Sequence, residues 1–170
     1  MNNLNIMRYL AVLLLLSLPH DAAFGAISLR EWNSAGAGLL TTRAEVMESL
    51  GAPDGSEGSV EWYDISGEEG LSRVTLDYLG GERVQAVHLA FRKGSVDLET
   101  LSAIIRDAFP GVSEVLGDER MAVFLGRSAD GDGPLYFLAL AGDPLGDKGP
   151  ELISMTEAAN RHYQEERPSE

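Results

Sequence analysis

The chain contains no cysteine, and this absence excludes more chemistry than any motif present supplies. Without cysteine there is no thiol nucleophile, no disulfide, no cysteine-ligated zinc or iron–sulfur site, and no residue to carry a lipid after a leader. Grouped cations are missing as well. The 13 lysines and arginines face 27 aspartates and glutamates, a formal net charge of −14 spread along the chain. Nucleic acid and anionic membrane surfaces both require clustered positive charge, so both are argued against as partners. No serine sits in a Gly-x-Ser-x-Gly elbow, and no Gly-rich loop leads into a helix with Lys and Ser or Thr.

The N-terminus does carry a signal. Arg8 supplies a positive start, Tyr9 to Leu18 is apolar, Pro19 ends any helix, and Ala23-Phe24-Gly25 places small residues at −3 and −1 of a cleavage point. The apolar run is about ten residues, against the roughly twenty that a membrane span needs. The sequence therefore predicts a removable signal peptide over 1–25, a periplasmic or secreted location, and no stable membrane anchor after cleavage.

Residues 26–40 are Gly/Ala-rich and read as a lead-in segment; 41–167 reads as one α+β domain. Thr42 and Glu45 form a capping box, Val46, Met47 and Leu50 give an apolar stripe, and Gly51 and Pro53 stop the helix, so a helix is expected over 43–50. Val60–Ile65 is rich in aromatic and β-branched residues and reads as a strand. Arg73–Tyr78 alternates polar and apolar, Gly80-Gly81 suits a primed turn, and Val84–Phe91 is the return strand. That turn pairs Val74 with Val87, Leu76 with Gln85 and Tyr78 with Arg83. It puts Val74, Leu76, Tyr78, Val87, Leu89 and Phe91 on one face, with Arg73, Thr75, Asp77, Ala86 and His88 on the other.

Asp97 caps a second helix carrying Leu98, Leu101, Ile104 and Ile105, closed by Phe109-Pro110-Gly111. Strands are expected over Met121–Gly126, Leu135–Ala141 and Glu151–Met155, and Thr156 caps a terminal helix over 157–167. The fold class is α+β, an antiparallel sheet with helices packed on one face. The order of elements also allows tandem αβββ halves over 41–94 and 95–156.

Candidate chemistry is sparse. Apart from His20 in the leader, the histidines are His88 and His162, on different elements. A triad would have to use His88 with Ser66 or Ser72 and Asp77, and the hairpin places His88 opposite Arg73 on a polar face, which favours a surface role. Asp130-Gly131-Asp132-Gly133 opens like a calcium loop, but Pro134 takes the third ligand position and Ala141 stands where a bidentate Glu is required, so turn chemistry is preferred. Glu68-Glu69 and Glu165-Glu166 read as solvated charge. Trp62, Tyr63 and Tyr78 are assigned to the core, although an aromatic left on an exposed face would make an interface anchor. No catalytic, cofactor-binding or metal residue and no cofactor is assigned.

The stretch from Thr41 to Asp54, with Thr42-Arg43, Val46 and Leu50-Gly51-Ala52-Pro53, resembles the helix opening of the SmpA/OmlA (BamE-like) family of small cell-envelope modules. Glu61-Trp62-Tyr63 and the strand ending Leu89-Ala90-Phe91-Arg92-Lys93-Gly94 are similar to that family's sheet, so the resemblance covers about residues 40–94. It implies a binding module acting through protein contacts. The chain departs from the family in lacking the lipidated cysteine and in having a second half. A tandem version looks like the β-lactamase-inhibitor proteins, which are secreted, acidic and non-enzymatic, though those carry disulfides. The expectation is an exported, non-enzymatic protein that binds another protein, either in envelope assembly or as an inhibitor-like scaffold. The alternative is a small periplasmic enzyme or ligand-binding protein with a site built around His88.

Overall fold

The computed structural model of the chain describes residues 26–27, 37–66, 70–109, 111–128, 133–141 and 148–165. The expected signal peptide over 1–25, most of the lead-in, Glu68-Glu69, Asp130 with Asp132, and Glu166 lie outside these residues. Twelve elements follow in order: β1 (Ala26–Ile27), α1 (Arg43–Leu50), β2 (Gly55–Glu57), β3 (Val60–Asp64), β4 (Leu71–Asp77), β5 (Ala86–Phe91), α2 (Leu98–Ala108), β6 (Ser113–Gly117), β7 (Met121–Ser128), β8 (Pro134–Leu140), β9 (Glu151–Thr156) and α3 (Glu157–Glu165). The fold is mixed α+β and dominated by its sheet, which agrees with the expected class.

One nine-stranded sheet runs β1-β7-β8-β9-β5-β4-β3-β2, and β6 also pairs with β7. Every pairing is antiparallel except that of β1 with β7. Two meanders, β2 to β5 and β6 to β9, are therefore joined along β5 and β9. Each is preceded by a helix.

The caps form as their residues demand. Thr42 Oγ1 accepts from the Glu45 N–H at 3.3 Å and the Glu45 carboxylate accepts from the Thr42 N–H at 2.8 Å, completing the capping box. Asp97 accepts from the Thr100 N–H at 2.8 Å, and this bond holds its carboxyl below the usual range. Thr156 Oγ1 accepts from the Ala159 N–H at 3.3 Å. At the end of α1, Gly51 has φ 81 and ψ −158, a backbone shape reserved for glycine.

Alternation along β8 assigns the two faces of the sheet. Leu135, Phe137 and Ala139 join a core with Val46 of α1 and Leu101 and Ile105 of α2. Tyr136, Leu138 and Leu140 join a second core with Ala159 of α3. Helices thus lie on both faces, which replaces the expected single helical layer. The cause is legible in β7 and β8: continuous apolar runs such as Leu135–Leu140, buried throughout, need cover on each side.

The hairpin departs from expectation in register. The turn falls on Leu79 (φ 49) and Gly80 (φ 74), one residue before the expected Gly80-Gly81, and is closed by the Gly81 N–H donating to the Tyr78 carbonyl at 2.9 Å. The chain then leaves the hairpin. The Leu40 N–H donates to the Val84 carbonyl and the Val84 N–H to the Thr41 carbonyl, so residues 82–84 are held by the segment leading into α1. Pairing of β4 with β5 resumes two residues out of the expected register, with Val74 opposite Leu89, Thr75 opposite His88 and Leu76 opposite Val87. A slip of two preserves the faces, and Val74, Leu76, Tyr78, Val87 and Leu89 are all buried as expected. β2 and β6 were not expected. β2 is Gly-Ser-Glu with no apolar residue, and β6 is a bulged edge strand with only Val115 and Leu116 to mark it.

Candidate functional site: the open half of the sheet

Register places side chains in rows across the face that α3 partly covers. One row runs Trp62, Thr75, His88, Ile153, Leu138, Val123. The next runs Asp64, Arg73, Ala90, Glu151, Leu140, Met121. The β7–β8 ends of both rows are buried, whereas Trp62, Thr75, His88 and Ile153 are half-buried and Asp64 and Arg73 exposed. α3 crosses a different row, where the Tyr163 hydroxyl donates to Asp77 Oδ2 at 2.7 Å. Among the described residues, no helix covers the part of the face over β3, β4, β5 and β9, and a groove of about 600 Å³ lies along it.

His88 and Glu151 meet in that groove. His88 Nε2 is 3.3 Å from Glu151 Oε2, with the histidine side chain 30% exposed and the glutamate 11%. Arg73 Nε donates to Asp64 Oδ1 at 2.7 Å, and Asp64 lies on the adjoining strand. At the rim, Arg92 Nη2 donates to the Ile65 carbonyl at 3.0 Å. Lys93, Lys148 and Gly149 complete the wall. A side chain at Gly149 would strike the Phe91 carbonyl, so glycine there lets residues 148–150 run flush against the end of β5.

Two of the triad partners imagined for His88, Asp77 and Ser72, are engaged elsewhere, and Ser66 is not among the residues that line the groove. Asp77 accepts from Ser59 Oγ, from the Leu79 N–H and from Tyr163, and serves as the latch of α3 and the turn. Ser72 lines the groove, but its hydroxyl donates to the Ala90 carbonyl at 2.8 Å. Across from His88 stands Thr75, not Arg73. The carboxylate that reaches the histidine is Glu151, which sequence reading treated only as the start of a strand. Arg92, Lys93 and Lys148 were passed over too, because they converge only when the end of β5 meets the approach to β9.

Of the three aromatics assigned to the core, Tyr63 and Tyr78 are buried and Trp62 is not. Strand alternation could have separated Trp62 from Tyr63. The Trp62 indole instead covers Gly55 of β2, where any larger residue would collide with the ring. Beneath the other face lies a second polar cluster. Arg43 pairs with Glu61 at 3.0 Å and sits over the Tyr78 ring, and the Tyr63 hydroxyl donates to Glu61 at 3.2 Å. Burial, then the Glu61 charge, pushes the Tyr63 phenol up to about 12, and the same two causes raise Tyr78. This cluster ties the start of α1 to β3.

Among the described residues, no group of three or more histidines and carboxylates is arranged to hold a metal ion. No helix among them is long and apolar enough to cross a membrane. Compared with protein-family models, curated proteins and solved structures, the chain matches none.

Proposed function

We propose that the chain is an exported, non-enzymatic protein that binds another protein in the periplasm or outside the cell, through the open half of its sheet. The observation that carries this reading is Trp62, a large aromatic left half-buried on the outer sheet face beside Thr75 and Arg73. Tryptophan and arginine are the residue types that most often anchor protein interfaces, and a sheet already covered by helices on its other face is a rigid platform for them. The N-terminal signal pattern supports export, and the resemblance of residues 40–94 to the SmpA/OmlA family supports a role through protein contact. We read α1 with β2 to β5, and α2 with β6 to β9, as tandem halves; their matching strand order supports this reading.

The test is in two parts. N-terminal sequencing of the protein from a periplasmic fraction should give a start at or close to Ala26; material that still begins at Met1 would defeat the export reading. Affinity capture from periplasmic extract should retain a partner with the natural protein and lose it with Trp62→Ala, at an unchanged unfolding midpoint. A second reading is favoured by one observation, the His88–Glu151 pair on the floor of the groove: a small enzyme or ligand-binding protein using His88 as a base. It predicts loss of several orders of magnitude in a catalysed rate with His88→Ala.

A further inference from the structure

We propose that the hollow between α2 and the β6–β7 turn binds an ammonium group carried on a short aliphatic stem. This is a second site, away from the open half of the sheet, and it stands or falls independently of the protein-binding reading.

The hollow holds about 640 Å³, within the range of small-molecule sites. Its apolar lining is aliphatic throughout: Val96, Leu98, Ala122, Ala141 and Pro150. Such a lining takes a methylene chain and offers no aromatic face on which a ring could stack. Ser102 of α2 is the observation that points to a ligand. It is 5% exposed and lines the hollow, and its hydroxyl makes no hydrogen bond with any described residue. A hydroxyl withdrawn from water and left unpaired is destabilising, whereas a polar group bound in the hollow would satisfy it.

The sign of the ligand follows from the charges around that hydroxyl. The lining has five carboxylates, Asp97, Glu99, Glu114, Asp118 and Glu119, and three cations, Lys93, Arg106 and Lys148. Arg106 and Glu114 neutralise each other as an ion pair. Asp97 and Asp118 accept backbone N–H groups at the helix cap and in the turn. Neither they nor Glu99 and Glu119 are in an ion pair with a described residue. Lys93 has an interaction of its own, and it shares with Lys148 the wall toward the groove on the other face. The excess is negative even with both lysines counted in full. Residues 142–147, which lead to Lys148, lie outside the described ones; their charged members, Asp143 and Asp147, are of the same sign.

A bare divalent ion is a poorer fit. It needs several oxygens converging on one point, and no three described histidines and carboxylates do so. Carboxylates spread round an aliphatic hollow suit a cation with a stem. The ammonium would donate to them and to the Ser102 hydroxyl, with its methylenes against Leu98, Ala122 and Pro150. A free aliphatic amine and the lysine side chain of another protein share this chemistry.

The experiment titrates the isotope-labelled protein with the diamine cadaverine at neutral pH and low salt, following backbone amides by NMR. The amides of Ser102, Ala122 and Ala141 should shift to saturation, and the neutral isostere pentanediol should leave them unmoved. Glu99→Gln combined with Glu119→Gln should weaken cadaverine about fivefold or more, and added salt should weaken it further. Ser102→Ala should weaken it about twofold, with the unfolding midpoint unchanged or raised, a combination that a merely structural serine would not give. A capped peptide with one lysine separates the two sources of the ammonium. Binding as tight as that of cadaverine supports a lysine side chain, and weaker binding supports a free amine. Equal shifts from pentanediol, or indifference to the carboxamide and Ser102 changes, would overturn the inference. So would calcium chloride displacing cadaverine more strongly than magnesium chloride at the same concentration, which would mark a metal site. Trp62→Ala should leave cadaverine binding as it is; its loss would put the amine on the open half of the sheet and overturn the inference as well.

Discussion

The same face of the same sheet is sealed at one end and open at the other. Over β7 and β8 it presents Val123, Leu138 and Leu140, all buried, with Ala159 and Tyr163 of α3 packed into the same cluster. Over β4 and β5 it presents Thr75, Arg73 and His88, and none of the described helices crosses them. The difference is written in the strands themselves. β8 is apolar at every position from Leu135 to Leu140, whereas β4 alternates. A continuous run has to be covered twice, and an alternating one only once. The open half is thus a consequence of composition, which left a polar face where the other meander has an apolar one.

The largest effect that could break this comparison comes from moving a charge along one row. Val123→Asp would bury a carboxylate without a partner and should cost about 4 kcal/mol or more. Thr75→Asp, in the same row but in the open half, should cost about 0.5 kcal/mol or less. Comparable shifts in the urea midpoint for both would mean that the two halves are equally covered.

A smaller effect tests the boundary between them. Tyr163→Phe removes the hydroxyl that donates to Asp77 and should cost about 1.5 kcal/mol, because a carboxylate acceptor loses a charge-assisted bond. Hydrogen exchange in α3 should rise with it, while that of α2 stays unchanged. An unaffected α3 would show that apolar packing alone fixes the edge of the covered zone.

The opposite face gives a pH-dependent counterpart. Tyr63 has a folded pKa of about 12 against an ordinary 10.0, so its neutral form is favoured by folding. That contribution is complete below pH 10.0 and is lost as pH rises toward about 12. The unfolding midpoint should fall across that window, and Tyr63→Phe should flatten the fall. The smallest effect is expected from His88→Ala, about 1 kcal/mol, because the Glu151 carboxylate that the ring faces is mostly buried and would lose it as a neighbour.

Much of this was legible in the sequence, and the losses have physical causes. Periodicity fixed the faces of β4 and β5 even though the register was off by two, because parity survives such a slip. The register itself depended on residues 82–84 pairing with the segment before α1, a contact between distant positions that no local pattern encodes. The caps at Thr42, Asp97 and Thr156 were legible because capping is a local hydrogen-bond problem. The groove was only half legible. His88 and Arg73 could be placed on a polar face, but Glu151, Lys93 and Lys148 join them through the pairing of β5 with β9, strands about sixty residues apart in a connection of two meanders.

The central claim, that the open half is where the protein meets its partner, is tested most directly by site-specific photocrosslinking in the cell that makes the protein. A photoreactive side chain placed at Thr75 should capture one defined protein, and the same group at Glu48, exposed on α1 behind the other face, should capture none. Equal capture from both positions, or capture from Glu48 alone, would contradict the account.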